Sequence, residues 1–140
     1  MILGIGIDVV KVERIQRILR RRGDRWVERV FSPEERRVAG EGPHRLRRLA
    51  ARWAAKEAFA KALGTGLRGL RWRDIQVIQD PSGRPVLALR GTAAALARAA
   101  GVEHIHLSLS HDGEWALAQV VLEGPGRPAG RGGFAGNPGA

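Results

Sequence analysis

Apolar and polar positions follow two periods along this chain, and the change from one to the other marks its elements. Residues 2–10 are an apolar run with strand character, in which Ile5, Ile7 and Val9 share one face and Gly4, Gly6 and Asp8 the other. The two glycines leave room beside Asp8 for another group to approach closely. Over residues 11–22 the period becomes helical. Val12, Ile15 and Leu19 form the apolar side, Arg14, Arg17 and Arg21 the opposite one, and Gly23 can end the helix. A second short helix carries Trp26, Val27, Val30 and Phe31. Ser32-Pro33-Glu34-Glu35 then reads as a helix start, with an N-cap, a proline at the first position and a capping-box glutamate. After a loop at residues 40–43, a long helix is expected over residues 44–63.

Period two returns in the second half. Residues 75–79 and 85–89 read as strands joined by a hairpin turn at residues 80–83. Thr92 is placed to cap an alanine-rich helix that Gly101 ends. Residues 104–110 alternate strictly: Ile105, Leu107 and Leu109 turn to the core, and His104, His106, Ser108 and Ser110 elsewhere. Asp112-Gly113 turns the chain into a last, mostly buried strand at residues 115–122. Helices dominate the first half and antiparallel strands the second, so the fold class is α+β. One domain is expected over residues 1–123, and the Gly/Pro-rich residues 124–140 read as a disordered tail.

The chain has 140 residues and no cysteine, which excludes a disulfide framework and thiolate chemistry. No apolar run reaches membrane-spanning length, and the first residues lack the basic region and cleavage site of a signal peptide, so a soluble cytoplasmic protein without a membrane partner is expected. Charge changes the picture more. Residues 1–73 hold 19 of the 24 Lys and Arg but 8 of the 14 Asp and Glu. An arginine-rich coding bias explains why Arg outnumbers Lys 21 to 3, but not this asymmetry. A basic half implies an acidic partner: nucleic acid, a polyphosphate or an acidic protein surface.

Four constellations carry candidate chemistry. On the long helix, Leu46, Ala50, Trp53 and Ala60 share a face, Glu57 projects into its middle, and Lys61 stands one turn beyond. A carboxylate in an apolar stripe is costly unless a positive group meets it. Asp8 and Glu57 suit Mg²⁺, which takes its remaining ligands from water and substrate phosphates; pairing with arginines is the alternative. Lys61 with Gly64-Thr65-Gly66 suits either a phosphate held by turn amides or a plain helix pair and cap. The order required for a Walker A loop is absent. His106, Ser108, Ser110 and His111 suit a phosphate-binding strand face or a solvated one. Arg14, Arg17 and Arg21 suit docking of an acidic partner or simple hydration.

Taken in order, G-I-G-I-D at residues 4–8, R-W-A-A-K-E-A-F-A-K-A-L-G-T-G at 52–66 and H-L-S-L-S-H at 106–111 resemble one family. It is the short, single-domain 4′-phosphopantetheinyl transferases of bacterial holo-[acyl-carrier-protein] synthase type, and the resemblance runs over about residues 1–122. It implies an antiparallel sheet packed with a long central helix. It also implies transfer of the phosphopantetheine arm of coenzyme A to a serine of apo acyl carrier protein, releasing adenosine 3′,5′-bisphosphate, in fatty acid biosynthesis.

By the same resemblance Asp8 and Glu57 hold Mg²⁺, Glu57 and Lys61 are catalytic, and Arg52, Lys61, Gly64, Thr65, Gly66, Ser108 and His111 bind coenzyme A. Glu57 or a water on the metal accepts the serine proton. The family is a homotrimer with sites between subunits, so Ser108 and His111 are expected to serve a neighbour's site. Arg14, Arg17 and Arg21 would dock the acidic carrier protein.

Two rival classes remain at this point. A nucleic-acid-binding module uses the basic half, but it gives no reason for Glu57 and has few aromatics to stack on bases, with 3 Phe, 4 Trp and no Tyr. Another Mg²⁺-dependent enzyme acting on coenzyme A or a nucleotide diphosphate, such as a hydrolase, is the second. No nucleic-acid partner is expected.

Overall fold

A computed structural model describes residues 1–66 and 68–125. The chain opens with β1 (Ile2–Lys11), passes through α1 (Val12–Arg22), α2 (Asp24–Val30) and α3 (Pro33–Ala39), and enters the long helix α4 (Arg45–Leu63). A 3-10 turn at Trp72–Asp74 leads to β2 (Ile75–Gln79), β3 (Pro85–Leu89), α5 (Gly91–Ala99), β4 (His104–Asp112) and β5 (Trp115–Glu123). β5 pairs antiparallel with both β1 and β4, giving a three-stranded sheet in the order β1-β5-β4, while β2 and β3 form a separate hairpin.

α4 lies across the inner face of the sheet, against β1 and β5, and α1 and α3 cover it from the other side. From Leu49 onward the helix is therefore buried nearly all round: Leu49, Ala54, Ala55, Ala58 and Phe59 are fully buried, as are positions on the expected stripe such as Ala50. A helix surrounded in this way belongs to the core, and its charged residues stand out. Its many alanines permit the close approach of strand and helix backbones.

Local chemistry fixes the smaller elements. Ser32 and Glu35 form a capping box, Glu35 N–H donating to Ser32 Oγ at 3.2 Å and Ser32 N–H to Glu35 Oε1 at 3.1 Å. In the β2–β3 turn Asp80 Oδ1 accepts from the amides of Ser82 and Arg84 at 2.8 and 3.0 Å. Two expectations are corrected. Thr92 does not cap α5, because the helix begins at Gly91 and Arg90 holds the cap position without a side-chain bond. β4 continues two residues beyond the alternating run, because His111 and Asp112 still pair with Ala116 and Trp115.

The two faces of the sheet differ. Gly6, Asp8 and Val10 point toward α4, whereas Ile5, Ile7 and Val9 remain 61%, 56% and 46% exposed on the outer face. Among the described residues no helix is long and apolar enough to cross a membrane. The expected tail at 124–140 falls almost wholly outside the described residues.

Candidate active site

β1 and α4 meet where neither has a side chain in the way. A Cβ on Gly4 would overlap the Ala62 carbonyl, and one on Gly6 the Ala58 carbonyl, so only glycine lets the helix backbone lie this close to the strand. The contact places Asp8, two residues after Gly6, against the α4 turn that carries Glu57 and Lys61. Lys61 Nζ donates to Asp8 Oδ1 and to the Ile7 carbonyl, both at 3.0 Å. The i,i+4 pair with Glu57 is replaced by an ion pair across 53 residues of sequence.

Asp8 is 8% exposed, and its second oxygen, Oδ2, is buried without a hydrogen-bond partner. Burial pushes the Glu57 carboxyl up to about 7, and the neighbouring Asp8 carboxyl adds to the rise; Arg14 and Lys61 oppose it. Two carboxyls thus share a poorly solvated corner with insufficient positive charge to keep both ionised at neutral pH. An orphaned oxygen and a carboxyl held partly protonated fit a divalent cation, which would satisfy both. Among the described residues no group of three or more His, Cys, Asp and Glu could hold a metal, so a cation here would rest on two protein carboxyls and take other ligands from outside the chain.

The glycine turn follows α4 directly. Gly64 adopts the left-handed conformation at φ 80°, and its N–H closes the helix on the Ala60 and Lys61 carbonyls, each at 3.1 Å. Gly66 also has positive φ, at 61°. The turn is a helix cap and also lies beside Lys61, so the two readings of it are compatible.

Other expected site residues lie apart from this corner. Arg52 is 7% exposed on a different side of α4. It donates to the Arg48 carbonyl at 3.2 Å, its Nε is buried without a partner, and burial lowers its pKa against the opposing charge of Glu35. Ser108 and His111 sit on opposite faces of β4. Ser108 pairs with Gln119, which opposes Ile7 on the outer face, whereas His111 pairs with Ala116, which opposes Val10 on the α4 side. Both are exposed, and β5 separates them from Asp8. Arg14, Arg17 and Arg21 are exposed along α1 around Ile18, in an open groove of about 570 Å³ that Arg20 also lines. Arg14 is the arginine of this row whose charge reaches Glu57.

Two features escaped the periodicity. Trp26, Trp53 and Trp72 pack in sequence, with ring centroids 5.4 and 4.6 Å apart, in the wall of a cavity of about 810 Å³ that Arg22, Arg29, Arg71, Arg73 and Arg90 also line. Trp26 and Trp53 are buried in the core and still border this mostly basic depression. The second feature is Lys56. Its position one residue before Glu57 gave no sign that it would be fully buried and paired with Glu35 at 2.7 Å.

Known proteins resemble this chain in sequence and in fold. The holo-[acyl-carrier-protein] synthase of Anaeromyxobacter dehalogenans is 53% identical over 129 residues, covering 90% of this chain and 99% of that relative. The crystal structure of the Neisseria meningitidis holo-[acyl-carrier-protein] synthase superposes with a TM-score of 0.80 at 38% identity, over 88% of this chain and 99% of the other. The Bacillus anthracis enzyme, solved in complex with CoA (3′,5′-ADP), gives a TM-score of 0.72 at 39% identity, over 89% and 98%. The model of one family matches residues 4–120, which include most of β1 with its two glycines, all of α4 and the β4 strand. The chain belongs to the 4′-phosphopantetheinyl transferase superfamily.

Proposed function

We propose that this chain is a holo-[acyl-carrier-protein] synthase, which moves the 4′-phosphopantetheine arm of coenzyme A to a serine of apo acyl carrier protein. The serine oxygen forms a bond to the pantetheine-side phosphorus, the bond to the bridging oxygen breaks, and adenosine 3′,5′-bisphosphate leaves. The observation that carries this reading is the Asp8–Glu57–Lys61 corner, two carboxyls and an ammonium beside the glycine turn, on a chain 53% identical to a synthase. Phosphoryl-group transfer requires little covalent chemistry from the protein, and positioning and charge do most of the work.

In this reading Asp8 and Glu57 hold Mg²⁺ through the orphaned Asp8 Oδ2 and the Glu57 carboxyl. The ion, when bound, supplies charge neutralisation at the diphosphate. Lys61, held on Asp8 Oδ1, offsets charge on the leaving phosphate. Gly64, Thr65 and Gly66 border the phosphates of coenzyme A, and Arg52 is assigned to the same phosphates. Glu57, or a water on the ion, accepts the serine proton. The exposed arginines of α1 dock the acidic carrier protein, with Arg14 closest to the acid pair.

The exposed apolar outer face, with Ile5, Ile7, Val9 and Trp115, supports a homotrimer in which Ser108 and His111 serve a neighbouring subunit's site. That would account for their distance from Asp8 within one chain. The transferase unit so proposed occupies residues 1–123, works in fatty acid biosynthesis, and belongs in the cytoplasm.

The test is intact-mass analysis of apo carrier protein incubated with the chain, coenzyme A and Mg²⁺. Gain of one phosphopantetheine group is expected. Hydrolysis of coenzyme A without any gain on carriers from several sources would sink the reading.

A further inference from the structure

Lys56 and Glu35 form a buried network that the proposed reaction does not use. Both side chains are 0% exposed. Lys56 Nζ donates to Glu35 Oε1 at 2.7 Å, to the Trp72 carbonyl at 2.9 Å and to the Ile75 carbonyl, so all three ammonium protons are engaged. Glu35 in turn accepts from Ser32 N–H at 3.1 Å and from Val77 N–H at 3.1 Å. The two residues thus join α3, the middle of α4, the 3-10 turn and β2.

Stability alone is a poor explanation for such a pair. Removing two charges from water costs several kcal/mol per ion in general, and apolar replacements of similar volume are often as stable or more so. The acceptors of Lys56 suggest another role. The segment that leaves α4 at Gly64 is fixed at its start by the helix cap, Gly64 N–H on the Ala60 and Lys61 carbonyls. It is fixed at its far end by Lys56, through the Trp72 and Ile75 carbonyls. Lys56 stands one residue before Glu57 and five before Lys61 on a single rigid helix. The same ammonium that anchors the returning segment therefore belongs to the helix that presents the acid corner. Lys56 thereby fixes, on the helix that carries Glu57 and Lys61, the point where the chain that follows the glycine turn rejoins the fold.

We infer that Lys56 and Glu35 are positioning residues for the transfer reaction, holding the glycine turn in register with the Glu57–Lys61 face of α4. This rests on the proposed function above. Neither residue touches the reacting atoms; both act through the segment between α4 and β2.

The experiment compares the wild-type chain with the double variant Glu35→Met/Lys56→Met, which removes both charges and keeps the volume. Thermal unfolding, coenzyme A affinity by calorimetry, and transfer kcat by intact mass are measured on each. A midpoint at or above that of wild type is expected, with kcat reduced about tenfold and coenzyme A binding weakened about tenfold, as befits a misplaced site. A network that only stabilises the fold would leave both functional quantities unchanged in a folded variant. If the double variant does not fold, Glu35→Gln keeps the volume and one acceptor, and a fall of about threefold in both quantities is expected. A wild-type chain that loads no carrier protein overturns the proposed function and this inference with it. A wild-type chain that loads, beside a folded variant with unchanged kcat and affinity, overturns the positioning role alone.

Discussion

Lys61 Nζ lies 3.0 Å from Asp8 Oδ1, reaching past its own helical neighbour Glu57 to a carboxylate on another element. The Lys61 side chain is 57% exposed while that of Asp8 is 9% exposed. An ion pair with one partner in water contributes at most about 1 kcal/mol to stability. The arrangement is therefore ill suited to holding the fold together and well suited to meeting an anion. Lys61→Met leaves the buried Asp8 carboxylate without its cation and is expected to cost about 1–3 kcal/mol in denaturant titrations, while transfer by the folded protein falls about 10²-fold. Proportionate loss of both would show that the lysine acts through the fold.

Glu57 makes the metal-free protein pH-sensitive. Its carboxyl titrates near 4.5 in the unfolded chain and about 7 in the folded one. Between those values the folded state holds a proton that the unfolded state has released, so this group's contribution to stability falls as pH rises through that window. Glu57 is only half-buried, so the loss stays well below the full linkage of about 1.4 kcal/mol per pH unit. Paired carboxylates such as Glu34 and Asp80, lowered by Arg37 and Ser82 respectively, act in the opposite direction, which makes a difference measurement necessary. Wild type minus Glu57→Gln, followed by melting temperature from pH 4 to 8 without metal, should slope downward. Mg²⁺ should raise the wild-type midpoint at pH 8 more than that of the variant. A flat difference would mean that Glu57 is not held protonated by burial and Asp8.

Much of this was legible before the structure. β1, α4 and the β2–β3 hairpin follow directly from periodicity and turn residues, because apolar spacing, caps and an Asp-Pro-Ser-Gly turn are local signals. The room left by Gly4 and Gly6 pointed to a close neighbour for Asp8, and α4 is that neighbour. Partner choice was not legible. Nothing local says that Lys61 turns to Asp8 or that Lys56 is buried on Glu35, because both contacts depend on how α4 rolls against distant elements. His111 illustrates another limit. The run His106 to His111 reads as one strand face, yet an odd separation in a strand puts Ser108 and His111 on opposite sides, as the register shows. Thr92 does not cap α5 because the cap position, Arg90, lies two residues earlier, and several starts there are locally similar.

Docking through α1 predicts a separation of kinetic effects. Arg14 reaches the acid pair electrostatically, so its loss would mix docking with chemistry. Arg17 and Arg21 are exposed members of the same row and are the cleaner probes. Arg17→Glu/Arg21→Glu should raise KM for the carrier protein about tenfold at low salt, flatten its salt dependence, and leave kcat within about twofold. An unchanged, salt-insensitive KM would place docking elsewhere.

The outer face of the sheet predicts assembly. Ile5 opposes Val121 and Val9 opposes Leu117, so the four form a contiguous apolar area on exposed strands. If the proposed trimer forms through this face, Ile5→Glu/Val9→Glu should leave a monomer in light scattering and lower transfer, because Ser108 and His111 would lose the neighbour's site proposed for them. A wild-type monomer with full activity at micromolar concentration would exclude both the assembly and the shared site.

Gly6 links the fold to the chemistry most directly. A methyl group there would meet the Ala58 carbonyl, an unyielding piece of helix backbone, and the Ala62 nitrogen as well. Relief requires α4 to move away from β1, which opens the gap between Asp8 and the Glu57–Lys61 turn. Overpacking of this kind costs about 1–3 kcal/mol. Gly6→Ala should therefore lower the melting temperature by several degrees. A site displaced by about 1 Å can lose about 10²-fold in rate, so transfer should fall much further than the remaining folded fraction explains. Gly83→Ala in the distant β2–β3 turn serves as the control, since its Cβ would meet nothing within 4 Å and its φ of 87° strains the backbone alone. It should cost stability of a similar order, about 1–3 kcal/mol, with transfer by the folded protein unchanged. Equal rate losses in the two variants at matched folded fraction would show that the β1–α4 contact has no special hold on the site.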